Sequence, residues 1–198
     1  MEPRVYVRAL ALASLVWTLP GCGRMGGDAA SENAARSAAQ NVDRACKDVD
    51  RTRMPDASAS APRGGYTSVA ERDSVLRLLD AGEARWRAAR PSSYTMTVVA
   101  ACFCRDRGLP LVMRVAGDSV IASRDTTGQQ SWPDDWRATL HVAGLFKEAR
   151  QFACDSTATT HVTLDRALGY PAVLSMKSRL EASDLDREYR VLSFEPER

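Results

Sequence analysis

The chain has 198 residues, 27 basic and 25 acidic side chains, a formal net charge of +2 and 44% hydrophobic residues. That length suits one domain of ordinary size plus a tether, and a near-neutral chain without a basic block offers no electrostatic footprint for nucleic acid. The cysteine count, five, is odd, so in an oxidising compartment one cysteine needs a fate other than an internal disulfide.

The N-terminus supplies that fate. Arg4 and Arg8 form a charged start, and Ala9 to Leu19 is an uncharged run that suits a secretion signal and is too short to span a bilayer as a helix. Leu19-Pro20-Gly21-Cys22 then reads as a bacterial lipoprotein cleavage box, departing from the usual form at Pro20. The expectation is a signal peptide over 1–21, cut before Cys22, with lipid on the Cys22 sulfur. No adjacent arginine pair is present, which favours the general secretion route. Buried methylenes contribute about 0.8 kcal/mol each and two acyl chains already anchor stably. The protein is therefore expected outside the cytoplasm, lipid-anchored to a bacterial membrane. Gly23, not Asp, follows the cysteine, so in a two-membrane cell the outer membrane is favoured, on its periplasmic side or surface. Removing Cys22 leaves Cys46, Cys102, Cys104 and Cys154, an even number.

From Gly23 to Gly65 there is no aromatic residue, and Ala, Ser, Gly, Asp, Asn and Arg dominate. Such a stretch buries too little apolar surface to offset its ordering entropy. Residues 22–65 thus read as a lipidated N-terminus and flexible tether, which as a coil would hold the domain roughly 35–40 Å from the membrane. Within it Ala35, Ala38, Val42, Cys46 and Val49 fall at helical spacing. Ser31 to Asp50 is expected to form a docked helix if Cys46 is stapled to the domain, and to be mobile otherwise.

A single folded domain is expected over 66–198. Ser68-Val69-Ala70-Glu71 has the capping-box pattern, after which Val75, Leu79, Gly82, Trp86 and Ala89 mark one helix face until Pro91. Strands are expected at Tyr94 to Ala101, Leu111 to Val115 and Ser119 to Ser123, the last two joined by a Gly117-Asp118 turn. A polar loop, Arg124 to Trp136, leads to a second helix. There Val142, Leu145, Phe146, Ala149, Phe152 and Ala153 give the strongest periodicity in the chain. Strands follow at Thr160 to Leu164, Ala172 to Lys177 and Glu188 to Phe194.

Helix and three strands, twice over, define an α+β class: an antiparallel sheet of about five to six strands with two helices on one face. Two short matches hint at a duplication, Trp86–Arg90 with Phe146–Arg150 and Gly108–Met113 with Gly169–Leu174. Convergence on helix ends and Gly-x-Pro turns explains them equally well.

The chain resembles the bacterial domain-of-unknown-function 6174 family of small lipoproteins. The likeness runs from about Leu76 to Phe194. It rests on Trp86, Pro91 and Tyr94-Thr95, on Cys102-Phe103-Cys104, on Val115-Ala-Gly-Asp-Ser-Val120, on Leu145-Phe146 and on Leu168-Gly169-Tyr170-Pro171. Cys46, Cys154 and His141, the last where a helix-capping Thr is usual, depart from the pattern. The resemblance implies a secreted, anchored, single-domain protein and supplies no activity. It also favours Cys102–Cys104 with Cys46–Cys154, since the C-x-C belongs to the family pattern and the two added cysteines need a partner. Cys46–Cys102 with Cys104–Cys154, and Cys46–Cys104 with Cys102–Cys154, remain the other connectivities.

Cys102-x-Cys104 is the one candidate for chemistry. On a strand the two side chains share a face with Cα atoms about 6.6 Å apart, at the upper edge of what a disulfide spans. Structural disulfides, a redox-active pair and a metal site compete, in that order. A redox site would usually be C-x-x-C at a helix N-terminus, and the only histidines, His141 and His161, are not at ligand spacing. No metal or other cofactor and no catalytic residue is expected. Trp132-Pro-Asp-Asp-Trp136 reads as a loop packing its rings on the domain edge. Asp184-Leu-Asp186, with Glu181 and Glu188, reads as a solvated turn lacking the spacing of a calcium loop. Gly169-Tyr170-Pro171 reads as a turn whose proline starts a strand and whose tyrosine packs on the sheet. Two functional classes follow: a lipid-tethered binding or interaction module for an envelope partner, and a thiol–disulfide redox protein using Cys102 and Cys104.

Overall fold

Local sequence sets most element ends. A computed structural model describes residues 27–47, 68–102, 109–128, 139–155, 158–178 and 186–197. Its elements are α1 (Gly27–Ala45), α2 (Val69–Ala89), β1 (Ser93–Cys102), β2 (Leu111–Ala116), β3 (Ser119–Asp125), α3 (Val142–Cys154), β4 (Ala158–Leu164), β5 (Pro171–Ser178) and β6 (Arg187–Pro196). The capping box forms in full at the start of α2, where the Ser68 hydroxyl accepts from the Glu71 N–H and the Glu71 carboxylate accepts from the Ser68 N–H. At its other end Arg90 turns extended before Pro91.

The six strands form one antiparallel sheet in the order β3-β2-β1-β6-β5-β4. Along β1 the burial alternates: Tyr94, Met96, Val98 and Ala100 are buried, and the residues between them face the other way. Leu111, Met113, Val115, Leu174, Met176 and Tyr189 extend this inner face. Leu79 and Trp86 of α2 and Leu145, Phe146 and Ala149 of α3 cover it. Trp86 sits edge-on to Tyr94, Tyr170 and Phe194, with ring centroids 5.6, 6.1 and 5.8 Å away. Ala89, the end of the expected stripe on α2, is exposed and falls outside this contact.

The topology decides the duplication. Each of α2 and α3 is followed by a three-strand meander, and both meanders lie in the same left-to-right order. Because β1 and β6 pair antiparallel, equivalent strands of the two units run in opposite directions. Both helices nevertheless cover the same face. Keeping the order and the face while reversing the direction is a reflection, so no rotation superposes the units. They are not a simple repeat.

Between residues 23 and 65 the described part is helical. α1 lies against α2, and Cys46, one residue beyond its last turn, is disulfide-bonded to Cys154 at the end of α3. Ala38 and Val42 of α1 are buried, as is Cys46 just beyond it. The condition attached to a docked helix, a Cys46 staple, is met.

Candidate functional site

The corner where α1, α2, α3 and edge strand β4 meet holds the most unusual geometry. Val42, Cys46, Leu76, Ala153 and Cys154 form a small apolar cluster apart from the main core. Beside it, the last turn of α3 leaves carbonyls that its own helix cannot satisfy. The Arg72 guanidinium reaches across from α2 and donates to Ala153 O at 3.0 Å and Cys154 O at 2.7 Å. A cation at a helix C-terminus also suits the dipole. Next to this clamp is a cleft of about 250 Å³ lined by Glu71, Arg72, Ser74, Val75, Ala153 and residues 158–161 of β4. The Thr160 hydroxyl is buried there with no protein partner among the described residues.

Two glycines fix how α2 meets the β4–β5 turn. A Cβ on Gly82 would lie 2.5 Å from Leu164 Cδ1 and 2.8 Å from Gly169 O, so only glycine admits this approach. Gly169 itself has φ +81°, which favours glycine. Tyr170 is buried and Pro171 opens β5, as expected of that turn.

Polar bridges join the helices to each other and to the sheet. Arg150 of α3 contacts Glu83 at 2.6 Å and Asp80 at 2.8 Å on α2, and Arg87 also pairs with Glu83. Burial alone would raise the Glu83 pKa, but hydrogen bonds and charge from Arg150 and Arg87 outweigh it and hold the carboxyl below its usual range. Buried Glu148 accepts from Arg187 at 3.0 Å, beside the Tyr189 hydroxyl at 3.5 Å. The Arg187 guanidinium also lies over the Phe152 ring, 5.8 Å from its centre. Burial and the Glu148 charge push the Tyr189 phenol upward, so it stays protonated. At the other end of α3, the Tyr94 hydroxyl accepts from the Val142 N–H at 3.4 Å, and burial pushes its pKa up to about 12. His141 is the N-cap residue and makes no side-chain cap bond. The tyrosine on β1 thus meets the N–H of the first helical residue, one of the donors at a helix start that have no partner within the helix.

The outer face of the sheet has no helix over it among the described residues. It carries Thr95, Thr97 and Val99 of β1, Val112 and Arg114 of β2, and Val173 and Ser175 of β5, with Leu192 exposed at an irregularity of β6; Ile121 is exposed at an irregularity of edge strand β3. Arg114 reaches the Glu197 carboxylate with two bonds of 2.7 and 3.0 Å. Cys102 ends β1 opposite Arg187. Cys104, the 129–136 part of the loop with both its tryptophans, Glu181, Asp184 and Cys22 lie outside the described residues. Asp186 accepts from the Ser178 N–H at 2.8 Å. His141 lies at the start of α3 and His161 is exposed on β4, and among the described residues no group of three or more His, Cys, Asp or Glu is placed to hold a metal.

Neither Arg72 at the α3 terminus nor the Glu148–Arg187 pair was singled out by sequence reasoning. The partners of each are 81 and 39 residues apart, and no local pattern marks them. Glu148 carried a faint signal, a charge adjoining Leu145, Ala149 and Phe152 on the apolar side of α3.

Together these features define a one-sheet α+β domain whose polar groups serve mainly as braces between elements. Residues 78–196, more than half of the chain, match the model of the family of unknown function DUF6174. The chain belongs to that family. No curated protein and no solved structure matches it.

Proposed function

We propose that the protein is a lipid-anchored cell-envelope module that binds a protein partner through the outer face of its sheet. The observation that carries this reading is the sheet face that no helix covers among the described residues. Half-buried Val99, Val112 and Val173 and exposed Leu192 are spread among threonines and balanced charges, a mixture suited to a protein surface with a modest apolar centre. The anchor at Cys22 rests on the charged start, short apolar run and Gly-Cys junction.

Site-specific photocrosslinking in the native envelope tests the reading. A photoreactive residue at Val112 or Thr97 is expected to give a discrete adduct, and one at Lys147 on the exposed side of α3 none. Equal adducts at all three positions, or none, would overturn the choice of face. Cys22→Ser is expected to release the chain from membranes, and continued attachment would overturn the anchor.

A further inference from the structure

We infer that the Cys46–Cys154 bond converts α1 into a short stiff arm that sets how far the domain stands from the lipid surface, an inference that rests on Cys22 being the lipid site. Only the last part of α1 is docked: Ala38, Val42 and Cys46 are buried, whereas residues 30–37 are exposed on every side. The helix therefore projects beyond its contact with α2. From Ala38 to Gly27 the projection is about 16 Å at 1.5 Å per residue. From Gly27 back to Cys22 the chain reaches at most about 18 Å. The lipid and the docked helix are thus joined by a short, half-rigid link.

Without the bond the link is different. Most helical stability in proteins comes from packing of an apolar face, and Ala38 and Val42 alone bring one methyl and one isopropyl group to the contact. Once α1 lets go, the leash runs from Cys22 to Ser68, where α2 is capped. A coil of that length has a mean span of roughly 35–40 Å, against about 20 Å for the clamped arm. The occupant of this end of the molecule is the lipid surface, reached through the anchored cysteine.

The test uses the lipidated full-length chain on bilayers of phosphatidylethanolamine and phosphatidylglycerol, with the protein layer located by neutron reflectometry. For Cys46→Ser/Cys154→Ser the layer is expected to move outward by roughly 15–20 Å and to broaden. An unchanged profile would overturn the inference. Removal of residues 30–37 with the bond intact provides a second variant that leaves the buried contact alone, and it is expected to bring the layer inward by about 10 Å. No inward movement would overturn the arm. Wild-type chain that fails to float with vesicles would remove the anchor and the inference with it. Trypsin reads the clamp separately, on chain in solution: cleavage after Arg36 and Arg44 is expected to be at least tenfold faster in the double serine variant. Equal rates would defeat the clamp even where the anchor stands.

Discussion

The main core and the α1 corner are held together by different physics. The core joins eighteen buried residues from two helices, four strands and the segments beside them, including Trp86, Tyr94, Phe146 and Tyr189. The corner has five, of which two are the bonded cysteines. The core is packed from large side chains of many elements, whereas the corner is closed by a covalent bond across 108 residues of sequence. The family match starts at residue 78, so it takes in the sheet, α3 and half of α2 and leaves out α1. The matched region holds nearly all of the main core, and α1, outside it, is tied on by the disulfide.

Substitutions in the core and in the corner should separate these two modes. Phe146→Ala is expected to have the largest effect, about 3–5 kcal/mol of global stability for a buried aromatic, read as a lower denaturant midpoint. A neutral result would place α3 wrongly against the sheet. Removing the disulfide by Cys46→Ser/Cys154→Ser is expected to cost about 2–4 kcal/mol, with α1 released and the sheet retained. Gly82→Ala should cost about 1–3 kcal/mol through overpacking against Leu164 and Gly169, and an unchanged melting temperature would contradict that contact.

The smallest effect is electrostatic. Glu83 has a depressed folded pKa, so its pairing with Arg150 and Arg87 adds stability above its unfolded pKa and loses it as pH falls through the folded pKa. Glu83→Gln should therefore lower stability slightly at neutral pH and flatten the acid limb of the stability profile. Wild-type and variant profiles of the same steepness would contradict the bridge.

Much of the core was legible because its signals are local. The capping box at Ser68, the 3.6-residue stripe on α3, the Gly117-Asp118 turn and the alternation along β1 are each contained within a few residues. The central β1–β6 pairing is not local, since Tyr94 pairs with Pro196 across the domain, and no spacing in the sequence announces it. The same reason hid Arg72 at the end of α3 and the buried Glu148–Arg187 pair. The corner was legible only as a condition. Helical spacing placed Ala38, Val42 and Cys46 on one side, but composition argued for a tether, and cysteine arithmetic left three pairings open. A covalent bond between distant residues settles what weak propensity cannot.

Amide hydrogen exchange on the wild type and on Cys46→Ser/Cys154→Ser tests this division most directly. Loss of protection throughout α1 in the variant, with β1, β6 and α3 still slow, is the predicted result. An α1 that stays protected without the bond, or a sheet that loses protection along with it, would contradict the account.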